Sequence, residues 1–443
     1  MPTGADVTNQ NNTVPTRPTS VRWFPILSLV FAATLINYLD RAVFSIARPL
    51  FSQELGVSPL MAGVLGSAFA WSYALAQIPG GAVLDRFGTR VTYSVALIGW
   101  SLATVALGLV HRVGTMIGLR IALGMFEAPC FPSNSRVLNS WFPQNERARA
   151  NSIYAIGMYA GLAFLSVPLF WIAQRFGWRG LFMVSGAVGV MFGLVWYLTY
   201  REPHESKRVN RAELDLIAAG GGTAARPVDQ TPFTVANIMR VVRLRPLLIA
   251  SLAQFAGNTV LNFFLLDFVN YLATQRQMPW IKAGIFLSLP YMAAAVGGVI
   301  GGQVSDRILK GGGSANVARK LPVAGGLVLA SLVVLANFVP AGQDGLVIFI
   351  MSVAFFGQGM TNLGWTAITD MAPLHLIGLT GGFFNMITNL AGILTPLVLG
   401  VILQLTGSYY YSLIYVGALP LVGAALYVFA LGDIRRLTVD ESA

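Results

Sequence analysis

Four ionisable residues stand where charge is costly. Asp40 and Arg41 lie near the end of an apolar run from Trp23 to Ala47, and Arg120 and Glu127 lie inside another such run. On insertion scales a charged side chain at mid-membrane costs roughly 2.5–3.5 kcal/mol. Arg120 and Glu127 are seven residues apart, which at 3.6 residues per turn leaves them only ~20° apart around a helix. Their shared face must therefore line a cavity or a partner helix. On the first run Thr34, Asn37, Tyr38, Arg41 and Ser45 form a polar stripe at helical spacing, with Asp40 on its flank. These residue types suit two kinds of chemistry. A guanidinium holds a carboxylate through paired hydrogen bonds. A carboxyl that is neutral when desolvated and charged beside arginine can take up and release a proton. The expected arrangement pairs Arg120 with Asp40 in the empty site and frees Arg120 when Asp40 is protonated. Glu127 then carries or senses a second proton. Two structural alternatives stay open: Asp40 and Arg41 snorkelling to water at a membrane edge, and a permanent Asp40–Arg120 bridge that only joins two helices.

The second half of the chain carries stripes that are uncharged. Gln254, Asn258 and Asn262 recur at four-residue spacing, as do Gln358, Asn362 and Thr366, with Thr369 following. Asn385, Asn389 and Thr395-Pro396 form a third. One stripe is accounted for by hydrogen bonds between helices, but three favour a hydrated or ligand-lined cavity. Charges in one half and amides and hydroxyls in the other fit a polyhydroxylated anion, with its carboxylate toward arginine and its hydroxyls toward Asn, Gln and Thr.

The elements that must position these groups are membrane-spanning helices. The chain has 443 residues, of which 55% are hydrophobic and 11% charged, against about 25% charged in soluble domains. Its apolar runs are continuous, not the alternating ~10-residue pattern of a barrel. Twelve spans are predicted, beginning near Trp23, Leu60, Val91, Thr115, Ala150 and Gly180, then near Leu247, Ala283, Leu321, Leu346, Leu376 and Tyr410. The expected organisation is a disordered tail over 1–21, a six-helix bundle over 22–200, a polar linker over 201–245, a second bundle over 246–434 and a tail over 435–443. With both termini and the linker on one side, that side holds 21 Lys and Arg and the other side 6, Arg48 among them, which predicts cytoplasmic termini. The net charge of +11 thus reflects topology and not a nucleic-acid face.

A repeat supports the six-plus-six plan. Gly81-x-x-x-Asp85-Arg86-x-Gly88-x-Arg90 stands between spans 2 and 3, and Gly302-x-x-x-Asp306-Arg307 between spans 8 and 9. The two aspartates are 221 residues apart, half the chain length. An Asp just past a helix end can accept from backbone amides of another helix or pair with a loop Arg, latching two bundles on one face.

With these motifs the chain resembles the major facilitator superfamily. Asn37-Tyr38-Leu39-Asp40-Arg41, Gln77-Ile78-Pro79-Gly80-Gly81, Glu127-Ala128-Pro129, Trp141-Phe142-Pro143, Gly364-Trp365-Thr366 and Gly381-Gly382-Phe383-Phe384-Asn385 narrow the resemblance. They are similar to the anion:cation symporter family, especially its bacterial galactonate and glucarate branch. That resemblance implies proton-coupled uptake of an organic anion across the inner membrane. It also implies ligand roles for Tyr38, Arg41, Tyr73, Glu127, Gln254, Trp365 and Asn385, and coupling roles for Asp40, Arg120 and Glu127. Asn258, Asn362 and Thr366 join the expected substrate contacts from their stripes. The chain departs from the branch at Asn262, where an aromatic is usual, at Met158, and at Asp267-Phe268-Val269, where Trp-Phe-Pro is usual. Asp267, near the outer mouth, is expected to face water, with a bond to Arg276 or repulsion of dianions as alternatives.

Other chemistries find little support. His111, His204 and His375 lack metal-ligand spacing, and Gly220-Gly221-Gly222 and Gly311-Gly312-Gly313 lack the Lys-Ser/Thr of a phosphate loop. Cys130 is expected to be a packing residue. The expectation is a monomeric secondary transporter with no cofactor, driven by the proton gradient and importing a hexonate or hexarate with protons. The alternatives are a symporter or exchanger of tartrate, a hexuronate or an aromatic acid, and, from another class, a receptor or anion channel.

Overall fold

Every regular element is helical among the residues described by the computed structural model, which are 17–220, 235–373 and 377–437. Most of the first tail, residues 221–234 of the linker, His375 and the last six residues lie outside them. Eleven stretches are long and apolar enough to cross a bilayer. One, Gly157–Thr199, holds parts of two spans, so twelve spans form as expected. In lipid each helix must satisfy its own backbone, and the long runs do so. The breaks fall where the sequence offers them. Gly88 and Gly177, with φ of 73° and 68°, turn the chain between spans 2 and 3 and between spans 5 and 6.

Several spans are interrupted at polar positions. Span 4 is two helices, Val113–Glu127 and Cys130–Trp141, divided at Ala128-Pro129, where proline offers no N–H to the preceding turn. Span 7 runs over Arg245–Leu266, stops at Asp267 and resumes. Span 10 passes through a tighter turn at Thr361–Leu363 before Gly364–Met371. Glu127, Asp267 and Trp365 thus stand at or beside irregular backbone.

The polar segment 201–245 is less of a free linker than its composition suggests. Helix Arg211–Ala219 closes over the first half. Its buried Glu213 accepts from the backbone of Val21 and Arg22, from Thr19 Oγ1, and from Arg22 Nη1 at 2.9 Å. Arg22 also pairs with Glu146 at the start of span 5, at 2.8 Å. Helix Val235–Arg243 instead packs on the second half, where Val241 joins a core with Phe383 and Phe384. The first and last described residues lie at this same end, with Leu437 N donating to the Met371 carbonyl.

The two halves meet mainly at the opposite end. There Ser166 and Ser288 hydrogen-bond at 2.7 Å, Phe170 packs on Trp280, and Arg48 pairs with Asp267. Gly63 of span 2 lies so close to the Pro396 carbonyl of span 11 that a Cβ there would sit 2.3 Å from it. At the linker end, Gly81, Gly381 and Gly382 face open space. Among the described residues the molecule is closed away from the linker and open toward it.

Candidate functional site

The first-half charges converge as their spacing requires, but with partners exchanged. Arg41 Nη2 bonds Glu127 Oε1 at 2.8 Å, and Glu127 is fully buried near Asn37, with its Oε2 making no hydrogen bond. Asp40, 4% exposed, lies next to Trp100 and Thr104, and neither of its oxygens makes a hydrogen bond. The expected Asp40–Arg120 pair is not formed. Arg120 Nε donates to the Leu65 carbonyl at 3.1 Å, and its guanidinium lies over Phe44 and Phe69, 4.0 and 4.8 Å from the ring centroids. Adjacent residues on a helix differ by 100°, so Asp40 and Arg41 cannot share a partner on one face. Arg41 reaches span 4, whereas Asp40 points toward span 3.

Phe69 is a site residue that the motifs missed. Arg41 stacks over Tyr38, Phe69 and Tyr73, at 4.9, 5.2 and 5.7 Å from their centroids, and Phe69 and Tyr73 stack on each other. Phe69 therefore carries a guanidinium on Arg41 and another on Arg120. Its signal was the i, i+4 spacing to Tyr73, which sets the two rings on one helix face. Aromatic faces attract cations, more strongly once both are desolvated.

The cavity beside Arg41, Tyr73 and Arg120 is completed from the other half by Asn262 and Asn389, with Leu266 at one end. Of the span 7 stripe only Asn262 reaches it. Asn258 donates to the Thr388 carbonyl, and Gln254 is buried with its Oε1 against Gly364. Asn385 accepts from Asn389 at 2.8 Å, and Asn362 donates to Tyr159 of the first half at 3.2 Å. Trp365, 44% exposed, packs edge-on against Phe384 farther toward the linker end, and Thr366 is half-buried beside it in sequence. The expected substrate residues are thus spread along the path from the cavity to the open end.

Among the described residues of the latch sequences no bond joins the halves. Arg86, Asp306 and Arg307 are exposed, Arg90 donates to the Tyr197 carbonyl at 2.9 Å, and the side chain of Asp85 lies outside the described set. Asp370, at the end of span 10 nearer the linker, pairs with Arg319 at 2.9 Å, and Arg319 also bonds Ser305. Asp267 departs from expectation most. It is 1% exposed, not solvated, and its partner is Arg48 in place of Arg276. Arg48, assigned to an outer loop by its charge, is itself 3% exposed. Cys130 is buried as a packing residue, with its Sγ 3.0 Å from the Tyr93 hydroxyl, which donates to Asn134.

Two six-span halves around a cavity with charges on one wall and amides on the other define a membrane carrier, not an enzyme. Residues 30–396 match the Major Facilitator Superfamily, and the chain belongs to that family. It is 39% identical over 421 residues to the D-galactonate transporter of Escherichia coli O6:H1, covering 94% of this chain and 97% of that one. It is 37% identical to a probable galactarate/D-glucarate transporter of Bacillus subtilis, covering 96% and 95%. A solved bacterial homologue of the lysosomal transporter Spinster superimposes with a TM-score of 0.73 at 19% identity, covering 91% and 95%, which is a likeness of fold alone.

Proposed function

We propose that this protein imports a sugar-acid anion, a hexonate or hexarate, together with protons across the bacterial inner membrane by alternating access, with both termini in the cytoplasm. The observation that carries the reading is Arg41, set in an aromatic cage at a cavity whose far wall is Asn262 and Asn389. A guanidinium for the carboxylate faces amides for the hydroxyls. The similarity to named sugar-acid transporters supports the substrate class.

In this reading Glu127 occupies Arg41 while the cavity is empty, and the arriving carboxylate displaces it. Asp40 is the coupling acid, because its carboxyl is buried and tied to no fixed partner, whereas Glu127 is tied to Arg41. Arg120 senses the state of both. Gln254, Asn258, Asn362, Trp365, Thr366 and Asn385 contact the substrate as it moves toward the linker end. The Asp85 and Asp306 loops latch that end when it closes.

The test is uptake into proteoliposomes under an imposed pH gradient, with D-galactonate and D-glucarate compared against aromatic acids. Thermal stabilisation by aromatic acids alone would overturn the substrate class. Asp40→Asn is expected to abolish proton-driven uptake while keeping substrate counterflow. If both survive intact, Asp40 is not the coupling acid.

A further inference from the structure

The Arg48–Asp267 pair joins the halves at the closed end, and its geometry links it to the cavity. Arg48 follows Arg41 by seven residues, so it projects from nearly the same face of span 1, ~10 Å farther along. Its Nη1 bonds both the Asp267 carboxylate and, at 3.1 Å, the Leu266 carbonyl. The Leu266 side chain in turn lines the cavity that Arg41 occupies. The pair is therefore bonded to a residue that lines that cavity. Asp267 Oδ1 also lies 3.4 Å from the Tyr409 hydroxyl, which accepts from Asn270 at 2.7 Å, while Asp267 Oδ2 is buried without a hydrogen bond.

Opening this end separates span 1 from span 7. Arg48 then stays with the first half, and Asp267, Tyr409 and Asn270 leave with the second. A desolvated guanidinium that loses its carboxylate must be hydrated or find another one. We propose that Arg48 is an outer receiving site for the carboxylate of the incoming organic anion, and that Asp267 is the internal carboxylate holding that site when this end is closed. The substrate and Asp267 compete for one guanidinium. Closure returns Asp267 to Arg48 and leaves the anion to Arg41, one step deeper on the same helix face. The two arginines form a relay, and the exchange couples closure to inward movement of the substrate. The relay rests on the reading of this protein as an organic-anion importer.

The test compares Arg48→Gln, Asp267→Asn and the double variant in proteoliposomes, with KM for D-galactonate measured separately from each face. A relay predicts that Arg48→Gln raises the outer-face KM about tenfold and leaves the inner-face KM unchanged. It also predicts that Asp267→Asn does not raise the outer-face KM, and that the double variant follows Arg48→Gln. A mere lock predicts that both single variants shift KM alike, and that result overturns the proposal. If Arg48→Gln is not recovered as folded protein, Arg48→Lys carries the comparison, with a smaller rise on the outer face only. Absence of uptake by the unsubstituted protein counts against the substrate class and not against the pair. The pair is then read from labelling of Ser52→Cys by an impermeant maleimide, against a background in which Cys130 is buried. Asp267→Asn is expected to increase that labelling, and no increase sinks the proposal.

Discussion

The guanidiniums of Arg41 and Arg120 face the same Phe69 ring, at 5.2 and 4.8 Å from its centroid. Two like charges are kept at close quarters by one aromatic spacer and by the Glu127 carboxylate. Phe69→Leu keeps the volume apolar but removes the π-face. A desolvated cation–π contact is worth about 1–2 kcal/mol, so KM for the anion is expected to rise roughly tenfold. Initial rates of uptake check this, with thermal unfolding reporting any loss of packing.

Glu127→Gln removes the carboxylate paired with Arg41, which in the proposed cycle competes with the anion. Affinity for the anion in equilibrium binding is expected to rise, by about tenfold if the competition is worth ~1.4 kcal/mol. Proton-driven accumulation falls, because the anion no longer has a rival to release it. Weaker binding would show that Glu127 contacts the substrate directly and does not compete with it.

Glu213 gives the pH dependence a sign. Burial pushes its carboxyl up, but the hydroxyl of Thr19, the amides of Val21 and Arg22 and the Arg22 guanidinium together hold it below the usual carboxylate range. Its contribution to stability is therefore present above the unfolded-state value, ordinarily about 4.3, and is lost as pH falls through the lower folded-state value. Thermal unfolding of the unsubstituted protein and of Glu213→Gln should differ most near neutral pH, by about 3 kcal/mol for a buried pair broken on one side. The difference should shrink toward acid.

Gly63→Ala places a methyl 2.3 Å from the Pro396 carbonyl across the interface between the halves. The contact exists only while that end is closed, so the substitution is expected to favour the state open there. Distances between spin labels on the ends of spans 2 and 11 away from the linker would lengthen. Unchanged distances, with normal folding, would show that the helices slide apart without opening.

Much of the architecture is legible in composition, because a bilayer allows continuous apolar helices and little else. The repeat of the Asp85 loop at Asp306 also sets the six-plus-six division before any coordinates. Partner choice is not legible in the same way. Arg41 and Arg120 are both plausible mates for either acid, and only the rotation of span 1 sends Arg41 to Glu127 and Asp40 toward Trp100 and Thr104. Arg48 and Asp267 defeat residue-by-residue reading for another reason. Each alone resembles a solvated charge near a span end, and 219 residues separate them in the chain. Their burial follows from the meeting of the halves, which no local pattern encodes. Phe69 is silent because an aromatic in a span is ordinary packing until two cations are found on its faces.

The helix Arg211–Ala219 changes the mechanics of the connection between the halves. With Glu213 fastened to the start of span 1, and Val235–Arg243 packed on the second half, each end of the segment travels with its own bundle. In the proposed alternating-access cycle, the covalent connection between these two fastened ends is then residues 220–234. Its length sets how far the open end can gape. Shortening it should trap the carrier near closure at that end, and lengthening it should leave transport unchanged.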